Sequence, residues 1–136
     1  GGTYVGNALT MRARYVAINE LEKRCEEIYS YINSLGEYCR RRIAEVLAEN
    51  RLEAYVTGLL SMIGLHFTKE KPVNGLTAER TKNRELSRKL FNHMLQKGIA
   101  YQRPETPHFA VSTAHTVDEV ERLAKELETF IETRRR

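Results

Sequence analysis

Apolar residues recur at steps of three and four from Met11 through Tyr15, Ile18, Leu21, Cys25 and Ile28 to Ile32. That spacing places them on one stripe of an α-helix. Glu20, Glu22, Lys23, Arg24 and Glu26 fill the other face, and nothing before Asn33 interrupts the pattern. A second helical stretch runs through Leu35, Cys39, Ile43 and Val46, with Arg40, Arg41 and Arg42 on or beside its wet face. Asn50 is its expected end, because asparagine tolerates a left-handed cap. The pattern leaves open whether the two helices part near Glu27 or near Gly36.

The period then changes from helical to alternating. Ala54-Tyr55-Val56-Thr57 is short and β-prone, and Gly58 is expected to turn the chain. From Ser61 to Thr68, Ile63, Leu65 and Phe67 face one way while Met62, Gly64 and His66 face the other, as in a strand with one packed side. Lys69 to Gly75 reads as a loop by its proline, asparagine and glycine. Leu86, Leu90, Phe91, Met94 and Leu95 define another helix, with Gly98 in the C′ position. Ile99 to Gln102 and His108 to Ser112 are expected strands, separated by Pro104 and Pro107, which cannot donate to a ladder. Thr116 and Glu119 fit a capping box ahead of a final helix with Val120, Leu123, Leu127, Phe130 and Ile131 on its buried stripe. This order predicts an α+β fold: a small antiparallel sheet with helices packed on one face, preceded by a long helix.

Composition narrows the picture. The chain's 136 residues suit one domain that buries about two-thirds of its unfolded surface. With 22 basic and 18 acidic residues the net charge is +4. The basic runs at Arg40–Arg42, Arg80–Lys89 and Arg134–Arg136 sit among acids or at a terminus, so solvated helix faces are expected and no nucleic-acid partner. No apolar run reaches the ~20 residues of a membrane span, and no leader pattern opens the chain, which points to a cytoplasmic protein without a membrane partner. Cys25 and Cys39 lack metal-ligand spacing; both are expected to be reduced and buried, and no metal is expected.

Gly1-Gly2-Thr3-Tyr4-Val5-Gly6-Asn7 is a poor helix or strand but a good backbone surface for an anion, and it feeds a helix N-terminus. Gly2-Thr3-Tyr4-Val5-Gly6-Asn7-Ala8-Leu9-Thr10-Met11, with Gly64-Leu65-His66-Phe67-Thr68 and Ser112-Thr113-Ala114-His115-Thr116, resembles the C-terminal third of class III pyridoxal-phosphate aminotransferases, most nearly the glutamate-1-semialdehyde aminomutases. The resemblance covers essentially every residue and leaves the family's large domain without a counterpart; the absent initial methionine agrees with a part of a longer parent. It implies a fold-type I small domain. Residues 1–7 would be the cofactor phosphate loop, 8–33 the linking helix and 34–136 the small domain. Thr3 would bind the phosphate of pyridoxal phosphate held by the partner subunit of a homodimer, with Gly2 giving backbone room.

The parent reaction that the resemblance implies is conversion of glutamate-1-semialdehyde to 5-aminolevulinate in tetrapyrrole synthesis. None of the seven lysines has the setting of the family's Schiff-base lysine, so the chain alone is expected to be inactive, with the parent's large domain as its partner. Where the aminomutases carry an active-site glutamate, an ungapped reading places Pro107. Glu105, two positions away, is either a substitute at the substrate pocket or a solvated loop carboxylate. That departure keeps another class III aminotransferase or an amino-acid racemase in view. Without the resemblance, the same pattern describes a free-standing α+β interaction module. Ser112, His115 and Asp118 fall around one strand-to-helix turn, where such groups cap helices, and no catalytic triad is assigned to them. His66 and His108 receive no role.

Overall fold

The computed structural model describes residue 2 and residues 5–134. Its contacts divide into two compact units, 1–31 and 32–136. In the first, Asn7 opens helix α1 (Ala8–Lys23). Its carboxamide oxygen accepts from the N–H groups of Leu9 and Thr10 at 3.0 and 3.3 Å, satisfying donors that a first helical turn leaves open. Arg24 leaves helical geometry at φ −120°, ψ 21°, and α2 (Cys25–Glu49) follows at once. The break therefore falls nearer Glu27 than Gly36. The Arg24 guanidinium holds Glu27 at 2.6 Å and Glu20 at 3.5 Å. The expected stripe forms on α1, yet no residue of that helix is buried.

In the second unit the stripe of α2 is buried at Leu35, Cys39, Ile43, Val46 and Leu47. The helix ends one residue later than expected in conformation: Arg51 takes the left-handed seat at φ 46°, with the Leu52 N–H on the Leu47 carbonyl at 3.0 Å. Asn50 stays buried instead, and its side chain donates to the Val46 carbonyl at 3.0 Å. Strands β1 (Tyr55–Leu59) and β2 (Met62–His66) form a hairpin, and β3 (His108–Ala110) pairs antiparallel with the other edge of β2. Gly58 belongs to β1, paired with Ile63, and does not turn the chain. Its φ of 133° and the 2.0 Å that a Cβ would leave to the Met62 carbonyl require glycine there. The reversal is made by Leu60, at φ 54°, and Ser61. Gly36 of α2 lies against this turn: a Cβ would stand 2.1 Å from the Leu60 carbonyl oxygen.

Ile63, Leu65 and Phe109 point inward, where α2, α4 (Arg84–Gln96) and α5 (Val117–Thr133) contribute to the same apolar cluster. Leu90 and Met94 of α4 are fully enclosed, and each such side chain adds roughly 1.5–3 kcal/mol. The predicted C′ glycine is present, Gly98 at φ 75°. Thr116 and Glu119 make the expected capping box, with the Glu119 carboxylate taking the Thr116 N–H at 2.7 Å.

Two further expectations need correction. Ile99 to Gln102 forms no strand, only a single bridge between Gln102 and His108. The Ile99 N–H is taken by the Met94 carbonyl at 2.8 Å, and Arg103 turns the chain at φ 59°, so no extended run remains. Tyr101 instead packs between Phe91 and Phe109, with ring centroids at 5.2 and 4.8 Å. The loop expectation ending at Gly75 also missed α3 (Gly75–Thr81), started by a capping box between Asn74 and Thr77. The result is the α+β architecture expected: a three-stranded antiparallel sheet, order β1-β2-β3, with helices on one face.

Candidate functional site

The sequence singles out Gly2, Thr3 and Glu105. Gly2 is exposed, and its carbonyl accepts from the Val5 N–H at 3.1 Å. Thr3 lies outside the described residues. At the adjoining helix end the N–H groups of Leu9 and Thr10 already belong to Asn7. A phosphate here would therefore use donors of the loop itself. Among the lysines, Lys82 has a buried side chain, but its ammonium is committed to Glu79 at 2.6 Å, Thr106 at 3.4 Å and Glu105 at 3.8 Å. The described residues thus do not complete a pyridoxal-phosphate site, and none offers an amine free for the cofactor's aldehyde in a buried setting.

Glu105 is clasped by cations from α4 and from the cap that ends α3. Arg84 donates to it at 2.8 Å, Arg88 holds its second oxygen, and Lys82 stands at 3.8 Å. Burial works to raise its pKa, and the combined pull of Arg88, Arg84 and Lys82 outweighs it, holding the carboxyl below its usual range. These partners come from 17 to 23 residues away, which is why no local pattern disclosed them. Pro107 is fully buried, and its carbonyl accepts from the Leu65 N–H at 3.0 Å. It ties the loop to the sheet.

On the sheet's outer face the Thr57 hydroxyl meets His66 Nε2 at 2.8 Å, and burial lowers the His66 pKa. Ser112 and His115 come together, Oγ to Nδ1 at 2.9 Å, but the same nitrogen also accepts the Ser112 N–H at 3.1 Å. The pair closes the turn ahead of α5, while the Asp118 N–H joins the Thr116 cap at 3.2 Å. A cavity of about 560 Å³ opens beside this turn, floored by Cys39, Phe109, Val120 and Leu123. Two charged groups at its edge are engaged elsewhere, Arg122 with the Lys97 carbonyl and Glu119 with Thr116, while Tyr101, which also lines it, has its hydroxyl buried with no hydrogen-bond partner among the described residues. Among the described residues no group of three potential ligands could hold a metal, and no helix is long and apolar enough to cross a membrane.

The basic runs are largely paired. Arg40 binds Glu37 and the Leu60 carbonyl, Arg41 faces Glu45 at 3.7 Å, and Arg42 joins Glu45 and Glu121.

This fold is that of the corresponding part of class III pyridoxal-phosphate aminotransferases. A glutamate-1-semialdehyde aminomutase from Pseudomonas aeruginosa PAO1, solved in complex with PMP, superposes with a TM-score of 0.84 at 24% identity, covering 96% of this chain and 28% of that one. An omega-transaminase from Sphaerobacter thermophilus gives 0.79 at 24% identity over 97% of this chain and 29% of its own. Sequence relatives point the same way. The glutamate-1-semialdehyde 2,1-aminomutase of Thermus thermophilus is 32% identical over 126 residues, and aminomutase 1 of Staphylococcus epidermidis is 31% identical over 121, covering 93% and 89% of this chain. No family model matches. The chain is thus homologous to a portion of the glutamate-1-semialdehyde 2,1-aminomutases, and it spans 27 to 30% of the length of the relatives it matches.

Proposed function

We propose that the chain is the C-terminal part of a glutamate-1-semialdehyde aminomutase-like enzyme, working within a longer polypeptide that uses pyridoxal phosphate. In this reading residues 1–7 form the phosphate loop, 8–33 the linking helix and 34–136 the small domain. Thr3 donates to the cofactor phosphate of the partner subunit in a homodimer, and Gly2 lets the backbone approach. The reaction is conversion of glutamate-1-semialdehyde to 5-aminolevulinate in the cytoplasm. The observation that carries the reading is homology over about nine-tenths of the chain, together with a matching fold.

The test is a chimaera in which this chain replaces the matching segment of the Staphylococcus epidermidis relative. Formation of 5-aminolevulinate is expected, and Thr3→Ala in that chimaera should weaken cofactor binding by roughly 1.5–3 kcal/mol, the worth of one charge-assisted hydrogen bond. The 136-residue chain alone should show no absorbance band of bound pyridoxal phosphate and no lysine trapped by borohydride. A well-folded chimaera inactive on glutamate-1-semialdehyde sinks the reading. Turnover of other amino donors in its place supports a second one, a related aminotransferase, which the commitment of Glu105 to three cations and the presence of Pro107 favour.

A further inference from the structure

Residues 100–106 run between two fixed points of the second unit, and Ala100, Tyr101 and Gln102 form part of one wall of the cavity beside β3. At the start, the Met94 carbonyl of α4 takes the Ile99 N–H at 2.8 Å; at the end, the Pro107 carbonyl takes the Leu65 N–H at 3.0 Å. Just before Pro107 the segment is also held by charge. Glu105 is gripped by Arg84 and Arg88, and the Lys82 ammonium is shared among Glu79, Glu105 and Thr106. The Lys82 side chain is only 8% exposed, so this clasp is more than a surface pairing: an ammonium withdrawn from water depends on its partners.

Between these ties the segment is poorly satisfied. The Tyr101 ring packs between Phe91 and Phe109, but its buried hydroxyl has no hydrogen-bond partner among the described residues, and so forfeits bonds that water would restore. Arg103 sits at φ 59°, a left-handed conformation that is unfavourable for a residue with a side chain. Pairing with the sheet amounts to the single bridge between Gln102 and His108. We propose that residues 100–106 are a strap that opens as a unit while the rest of the second unit stays folded, with the Lys82–Glu105 clasp as its latch. Closed, the strap gains the ring packing of Tyr101 and the clasp. Open, it hydrates the Tyr101 hydroxyl, relaxes Arg103 and widens the cavity on that side. Opposed contributions of this kind make a local two-state element. The inference goes beyond the enzyme reading and is tested without it, on the chain itself.

The experiment is native-state hydrogen exchange of the 136-residue chain, with the Gln102 amide reporting the strap and the amide of the enclosed Leu90 reporting global unfolding. Gln102 is expected to exchange faster than Leu90 and to be insensitive to low urea, as local opening requires. Lys82→Met and Glu105→Gln should each speed the Gln102 exchange about tenfold by weakening the latch, and raised salt should act in the same direction. Tyr101→Phe should slow it about threefold to tenfold, because the closed state then carries no unpaired hydroxyl. Chymotrypsin, which cuts after tyrosine and phenylalanine alike, should cleave the native chain at residue 101 at rates in the same order. Circular dichroism verifies that each variant is folded. Gln102 protected to the level of Leu90 with the same urea dependence, latch variants no faster than the parent chain, or a Tyr101→Phe chain that opens as readily as before overturns the inference.

Discussion

Cys25 and Cys39 show at single-residue scale how burial divides two identical groups. Cys25, expected to be buried, is exposed, while Cys39 is 1% exposed and its thiol is pushed up to about 11 by burial, against a smaller opposing pull from Arg40. Because the thiolate is the reactive form, iodoacetamide at neutral pH should modify Cys25 rapidly in the native chain and Cys39 only on unfolding. Mass spectrometry of quenched samples checks this; two equally fast additions would contradict it. His66 makes a pH statement. Burial lowers its folded pKa, so below the ordinary value of about 6.5 the unfolded chain takes up a proton that the folded one resists. Stability should therefore fall as pH drops through that value, until the folded pKa is passed. His66→Gln should flatten this part of the profile in urea titrations, and equal slopes would count against it. The alternation from Met62 to His66 was legible because period two depends only on strand geometry. That His66 lies beside Thr57 depends on hairpin register and was not.

Among elements, the contact between α2 and the β1–β2 turn is the tightest constraint. Helix propensity alone predicts that Gly36→Ala stabilises by up to ~1 kcal/mol. The 2.1 Å approach of its Cβ to backbone at Leu60 reverses the sign, and a cost of about 1–3 kcal/mol is expected from overpacking. Equilibrium denaturation decides between the two signs. Helix starts were partly readable: Thr116 and Glu119 form the capping box that their spacing advertises. The Asn74–Thr77 box carries no acidic partner, so its spacing does not advertise a helix start. Ile99 to Gln102 has strand-like residues, but the C-terminal cap of α4 and the turn at Arg103 claim its backbone.

In the whole molecule, every core residue among those described lies between Leu35 and Ile131. A chain lacking residues 1–24 should keep cooperative unfolding, with its midpoint little changed, whereas Leu90→Ala should cost about 2–5 kcal/mol through lost burial and the cavity left behind. Loss of cooperativity in the shortened chain would show that the first unit supports the second.

By itself the sequence determined the kind and order of most elements, the inward and outward faces of helix and strand, and the family, because periodicity, caps and motifs are local properties of the chain. Tertiary structure alone decided that Arg51 and not Asn50 turns left-handed, that Glu105 answers to Lys82, Arg84 and Arg88, and that Tyr101 packs between Phe91 and Phe109. Each of these depends on which distant residues share a neighbourhood, and neighbourhood is set by packing in three dimensions, which local spacing does not encode.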